Sequence, residues 1–335
     1  MKNVATIILA AGKGTRMKSD KPKVLFSLAD KSLIQRVIDT SRELDAKKIV
    51  VVVGYKKDEV TASIEDKSRL IFVEQKQQNG TGDAVRVTKE AFNDYEGEIL
   101  ILCGDVPLLK SDTLQKLLSY HREKNAACTV LTANLIDPAR YGRIVRDDKG
   151  NVKRIVEFKD ADENQRKITE INTGVYCFDA KSLFNSLSKI DNNNNQNEYY
   201  LTDTLEILNT ENKTVTSMII DDFSETLGIN SQKQLTELET ILYGKIKEYW
   251  LTNGVMIENP ASVIIGEDVI LENDIFIGAN STLKGTSKIE KGSVIGANSM
   301  IIFSKIGKDA KLQGYNVIVN SKVKDNEILD YFEKR

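Results

Sequence analysis

The sequence predicts an α/β protein in which a doubly wound sheet is followed by a short parallel β-helix. Three observations carry this expectation. Up to about residue 230, short β-branched runs alternate with amphipathic segments. A helical pattern over 231–251 then stops at Asn253-Gly254. Beyond that stop the period changes, and aliphatic residues return every six positions. A length of 335 residues allows about two domains, each burying its own core. The expected division is 1–230 for the first domain, 231–253 for a linker helix and 254–335 for the repeat region.

Segments 4–9, 49–53, 70–73 and 99–102 are apolar on consecutive positions, as in strands of a parallel sheet covered on both faces. Between them lie helical patterns such as Leu33, Ile34, Val37, Ile38, Ser41 and Leu44. Alternating β and α elements imply right-handed crossovers and a doubly wound sheet. Ligands of such sheets bind outside the carboxyl ends of the strands, which directs attention to the segments after Leu9 and after Leu102. In the linker, Leu235, Leu238, Leu242, Ile246 and Tyr249 form one stripe. The repeat then runs through Ile265, Leu271, Ile277, Leu283, Ile289, Ile295 and Ile301, and after a one-residue slip through Ile306, Leu312 and Ile318. A hexapeptide period is the mark of a parallel β-helix, whose stacked coils bury one aliphatic column per face. The 81 residues after Gly254 are expected to form roughly three coils, with 322–335 charged and outside the repeat.

Composition excludes several classes. Charged residues make up 29% and nearly balance, for a net charge of −2, which argues against a broad nucleic-acid surface. No apolar run approaches the roughly 18 residues of a membrane span, and the apolar segment 4–10 lacks a cleavage site behind it. Cys103, Cys128 and Cys177 are widely spaced within apolar stretches and read as buried free thiols. A cytoplasmic protein fits these features. The single histidine, His121, lies in a polar stretch and reads as a solvated residue at a helix end.

The strongest motif is Leu9-Ala10-Ala11-Gly12-Lys13-Gly14-Thr15-Arg16-Met17, followed by Lys21-Pro22-Lys23-Val24-Leu25. A glycine-rich turn directly after the first strand lets backbone amides approach a phosphate chain. Arg16 offers a planar fork for phosphate oxygens, and Pro22 fixes the backbone beside Lys23. A dinucleotide fingerprint needs a glycine where Met17 stands, and a Walker loop needs a Gly-Lys-Ser/Thr ending that is absent.

This paired motif resembles the signature of sugar-nucleotide pyrophosphorylases. More closely, 3–260 and the start of the repeat resemble the bifunctional bacterial N-acetylglucosamine-1-phosphate uridylyltransferase/glucosamine-1-phosphate acetyltransferase family. The resemblance implies a Rossmann-like nucleotidyltransferase domain, a left-handed β-helix, Mg²⁺ as cofactor, and UTP and a sugar 1-phosphate as substrates. It also implies a homotrimer through the β-helix. In 75–83 (QKQQNGTGD), Gln75, Gln78, Gly80 and Thr81 match the segment that recognises uracil and sugar, although a polar loop opening a helix reads equally well locally. Cys103-Gly104-Asp105 ends an apolar strand. Asp105 matches the family's metal ligand, a carboxylate suited to a hard cation, and Gly104 belongs to the substrate site. Gly228-Ile229-Asn230 matches the segment whose asparagine completes that metal site, while Asn230 by itself also reads as a helix N-cap. Gly142, Glu157 and Asn172 match the sugar-binding wall.

Two positions depart from the family pattern: Asn197 stands where glycine is expected, and Cys103 where a tyrosine is found in a member. The family's acetyl transfer uses a histidine in its β-helix, and none occurs here after His121, so only the uridylyl transfer is expected. The alternatives are a different sugar phosphate or nucleotide, and a non-catalytic protein that binds sugar nucleotides.

Overall fold

The computed structural model describes residues 3–335; Met1 and Lys2, the first positions of the expected first domain, lie outside the described residues. The chain divides into two compact units. One runs to Ser27 and from Lys31 to Gln234, and the other comprises Leu28–Asp30 and Leu235–Arg335.

In the first unit one nine-stranded sheet contains β1 (Asn3–Ala10), β2 (Lys48–Val53), β3 (Leu70–Glu74), β4 (Gly97–Cys103), β5 (Cys128–Asn134), β6 (Arg143–Arg146), β7 (Val152–Val156), β8 (Glu170–Asp179) and β9 (Val215–Ile219). The main path is β9-β5-β8-β4-β1-β2-β3, and the β6–β7 hairpin joins through β6 to β8. Strand β1 lies between β2 and β4, parallel to both. Its consecutive apolar residues divide between two cores, one on each face. Ile8 packs in the core that contains Ile34, Val37 and Ile38 of helix α1 (Leu33–Glu43), and Ile7 packs in the one containing Phe178, Leu183 and Leu205.

The sheet is mixed rather than wholly parallel. Strand β8 runs antiparallel to β4 and β5, because the chain enters it from the β6–β7 hairpin and not through a crossover helix. Strand β3, expected to be covered on both faces, forms the edge beside β2, and Ile71 is 38% exposed there. His121 is not solvated. It sits on the buried face of helix α2 (Ser111–Glu123) at the spacing of Leu114, Leu117 and Leu118, only 2% exposed, with Nδ1 2.8 Å from Thr129 Oγ1. Cys128 and Cys177 are buried, whereas Cys103 is half-buried at the end of β4.

The second unit begins with most of helix α3 (Gln232–Thr252). Leu238 and Leu242 are buried, and Ile246 and Trp250 pack against the core of the repeat. Tyr249, expected on the same stripe, turns outward at 59% exposure, and Trp250 takes the inward place. The repeat is a left-handed parallel β-helix with faces of five, four and four short strands. One buried column is Ile257-Ile277-Ile295-Leu312-Leu329, a second Ile265-Leu283-Ile301-Ile318, and a third Leu271-Ile289-Ile306-Val323.

The expected three coils are therefore too few. The turn from Ile257 to Ile277 takes 20 residues, and later turns take 18, as between Ile265 and Leu283, or 17 across a slip, as between Ile289 and Ile306. The segment 322–335 also continues the repeat, since Val323 and Leu329 point inward while its charged residues point out. Corners recur at matching heights in the left-handed conformation. Asn280, Asn298, Tyr315 and Phe332 have φ of 58°, 58°, 55° and 64°. Along this edge Asn280 donates to Asn298 Oδ1 at 3.2 Å, and the rings of Tyr315 and Phe332 stack at 4.9 Å.

Candidate active site

The parallel pairing of β1 with β4 puts Leu9 opposite Cys103, so the glycine-rich loop and the Asp105 turn leave the sheet side by side. Gly104 N donates to Leu9 O at 2.9 Å, and a Cβ on Gly104 would meet that oxygen at 3.1 Å. Gly12 has no atom within 4 Å of where a Cβ would sit, which leaves its backbone open to a ligand. Gly14 is in the left-handed region at φ 67°, and a Cβ there would lie 2.6 Å from Lys23 Cβ. Glycine is thus required for the short helical turns Thr15–Met17 and Lys23–Leu25 to close on each other. Buried Met17 and Val24 anchor them, leaving Arg16 and Lys23 to project.

Arg16, Lys23, Asp105 and Asn230 meet in one network. Lys23 Nζ pairs with Asp105 Oδ2 and donates to Asn230 Oδ1 at 3.1 Å. Arg16 Nη2 donates to the same Asn230 oxygen at 2.7 Å. The bond from Ile229 N to Asp105 O, 3.0 Å, holds the 228–230 segment beside the strand end. Asn230 does not cap the following helix. Ser231 Oγ accepts from Gln234 N at 3.2 Å instead, which frees the Asn230 carboxamide for the network.

A cavity of about 320 Å³ opens here. Leu9, Ala10, Ala11, Gly12 and Lys23 line one side, Gln75, Gln78, Gly80 and Thr81 another, with Asp105 and Cys103 at the strand end. Gln75 is buried and donates to Gly80 O at 3.1 Å and Asp83 Oδ2 at 2.9 Å, so it shapes this wall from inside. Gln78 Nε2 donates to Ala11 O at 2.8 Å, tying the wall to the glycine-rich loop. Thr81 Oγ1 accepts from Leu201 N at 3.1 Å. Glu198 also lines the cavity; its segment 192–203 (NNNNQNEYYLTD) resembles a family loop, but Glu198 was not among the expected site residues. Its Cβ lies 2.9 Å from the Cβ position of Gly80, an approach across more than a hundred residues that no local pattern announces.

Gly142, Glu157 and Asn172 are brought together but do not line this cavity. A Cβ on Gly142 would sit 3.5 Å from Asn172 Cβ and 3.6 Å from Glu157 Oε2. Asn172 Oδ1 accepts from Gly174 N at 3.0 Å, and Cys103 Sγ lies 3.7 Å from Gly174 O, which connects this wall to the first cavity. Glu157 lines a second, acidic cavity of about 380 Å³ with Asp160, Asp203 and Glu206. Burial, aided by Asp160 and Asp203, pushes the Glu157 carboxyl up to about 7. Burial and the neighbouring Asp191, Glu206 and Asp160 raise Asp203 to about 6. The Cys103 thiol is pushed up to about 12 by burial and the Asp105 charge, which favours its protonated form at neutral pH. Asn197, where glycine was expected, adopts φ 54°, a left-handed conformation asparagine tolerates.

The donor set fits a hard divalent cation. One ammonium, that of Lys23, already bridges the Asp105 carboxylate and the Asn230 carboxamide oxygen, the two oxygen types such an ion accepts. Among the described residues no cluster of three or more His, Cys, Asp or Glu side chains forms a metal cage. An ion here would draw its remaining ligands from substrate phosphates and water. No helix among the described residues is long and apolar enough to cross a membrane.

Residues 5–255 match the nucleotidyl transferase family, and the chain belongs to that family. It is similar to the bifunctional protein GlmU of Clostridioides difficile (strain 630), 41% identical over 97% of this chain and 70% of that protein. The bifunctional protein GlmU of Acaryochloris marina (strain MBIC 11017) is 43% identical over 96% of this chain and 70% of its own length. In fold, a UDP-glucose pyrophosphorylase solved with UDP-glucose superposes with a TM-score of 0.59 at 20% identity, covering 73% of this chain and all of that one.

Proposed function

We propose that this protein transfers the uridylyl group of UTP to N-acetylglucosamine 1-phosphate, yielding UDP-N-acetylglucosamine and pyrophosphate. The observation that carries this reading is the convergence of Arg16, Lys23, Asp105 and Asn230 beside a cavity walled by Gly12 on one side and Gln78, Gly80 and Thr81 on another. A phosphate oxygen of the sugar 1-phosphate attacks the α-phosphorus of UTP, and the bond from that phosphorus to the β-phosphate bridging oxygen breaks in line. The nucleophile is already an anion, so no general base is required. Arg16 and Lys23 neutralise the phosphates, and the open backbone at Gly12 lets amides approach them. Asp105 and Asn230 would hold Mg²⁺, which when bound supplies charge neutralisation to the phosphates. Gln78 and Thr81 face the uracil, while Gly142, Glu157 and Asn172 serve the sugar.

Acetyl transfer is absent in this reading, and the β-helix serves assembly as a homotrimer. The deciding experiment measures pyrophosphate release from UTP and N-acetylglucosamine 1-phosphate with and without Mg²⁺, against a panel of other sugar phosphates and nucleotides. Metal-dependent release that is largest for this pair supports the reading. Larger release with another pair reassigns the substrate, and no release with any pair leaves only the binding protein.

A further inference from the structure

We propose that Lys23 is an internal stand-in for the divalent cation. It holds Asp105 and Asn230 until a nucleotide arrives, so that metal and nucleotide bind as one coupled event. The inference rests on the reading of Asp105 and Asn230 as metal ligands. The ammonium of Lys23 pairs with Asp105 and lies 3.1 Å from Asn230 Oδ1, which is where an ion shared by those two oxygens would sit. The Asn230 oxygen also accepts from Arg16 at 2.7 Å, so two donors already occupy its acceptor sites. The side chains of Lys23 and Asp105 are only 15% and 18% exposed, so water screens their pairing weakly.

A dication entering alone must displace this ammonium and then tolerate a positive charge at close range. A polyphosphate removes both obstacles, since its oxygens take the displaced Lys23 and Arg16 and complete the ion's coordination. Lys23 thereby changes partner from carboxylate to phosphate, and the site stays neutralised in both states. Free protein rejects the metal, and the nucleotide admits it.

Mn²⁺ binding to the full chain, followed by loss of the free-ion electron paramagnetic resonance signal, tests this without turnover. Without nucleotide the native protein should bind Mn²⁺ weakly. A non-cleavable UTP analogue should tighten binding about tenfold or more beyond the analogue alone, within the usual range of coupling between sites. Lys23→Met keeps the stem that packs against Gly14 and removes the charge, so without nucleotide it should bind Mn²⁺ about tenfold or more tightly than the native chain. Lys23→Gln should do the same, and Lys23→Arg should stay weak. Adding Asp105→Asn to Lys23→Met should abolish the gain.

Equal Mn²⁺ affinity in native protein and Lys23→Met, lost in both on Asp105→Asn, overturns the stand-in role and leaves the metal assignment standing. Analogue-dependent Mn²⁺ binding unaffected by Asp105→Asn overturns the metal assignment itself, and this inference with it. Should neither neutral variant fold, native protein that binds Mn²⁺ as tightly without the analogue as with it still refutes the coupling.

Discussion

Replacing Glu157 by Gln removes a titration that the surrounding fold imposes on a carboxyl group. In the folded chain this group ionises near 7 instead of its ordinary 4.5, because burial and then the charges of Asp160 and Asp203 oppose the anion. The native state therefore holds a proton that the unfolded chain releases, and stability falls as pH rises through this window. The contribution is fully present below about 4.5 and lost above about 7. At about 1.4 kcal/mol per unit, the shift is worth roughly 3–4 kcal/mol. Glu157→Gln, neutral at every pH, should gain that amount relative to native protein between about pH 4 and about pH 8. Urea unfolding followed by far-ultraviolet circular dichroism at the two pH values measures it. Asp203 titrates with the same sign, so the difference between native and variant is the quantity to read. If Glu157 serves the sugar as proposed, the same charge bears on substrate, since an ionised carboxyl accepts from sugar hydroxyls better than a protonated one. The KM for the sugar phosphate should fall in native enzyme as pH rises through about 7, relative to the variant, and the ratio cancels the substrate's own phosphate titration near about 6. A native-to-variant difference that is constant with pH, in both stability and KM, refutes the burial argument.

Asp105→Asn should lower metal-dependent turnover by roughly 10²–10³ while leaving the fold intact, and steady-state kinetics beside circular dichroism would expose a merely structural role. Ile295→Ala empties one level of a continuous buried column and should destabilise the β-helix by about 2–5 kcal/mol, read as an earlier unfolding transition. Acetyl-CoA with glucosamine 1-phosphate should release no free thiol. The chain's one histidine is buried on α2 against Thr129, and thiol release abolished by a change within 255–335 would defeat this expectation.

Much of the fold was legible because burial leaves a local period. The apolar run of β1 announced a strand covered on both faces, and the six-residue interval announced the β-helix, because each reports which side chains point inward. The count of coils and the inward places of Val323 and Leu329 were not legible, since charged neighbours mask a period that persists at the inward positions alone. The burial of His121 was not legible for a related reason. Its neighbours in sequence are polar, but its neighbours on the helix face, Leu114, Leu117 and Leu118, are core.

Of the candidate site, the sequence by itself determined the glycine-rich loop, its attendant Arg16 and Lys23, and the strand-end Asp105, because a turn at a sheet's carboxyl end has a compact local signature. Only the tertiary structure decided how they combine. The pairing of Lys23 with Asp105 spans 82 positions and that with Asn230 spans 207, and both depend on the register of β1 against β4 and on the path of the 228–230 segment. The antiparallel insertion of β8, the approach of Glu198 to Gly80, and the raised Glu157 carboxyl have the same origin. A side chain's periodic position sets whether it faces the core, but the charge it meets there is supplied by residues distant in the chain, and packing alone selects them.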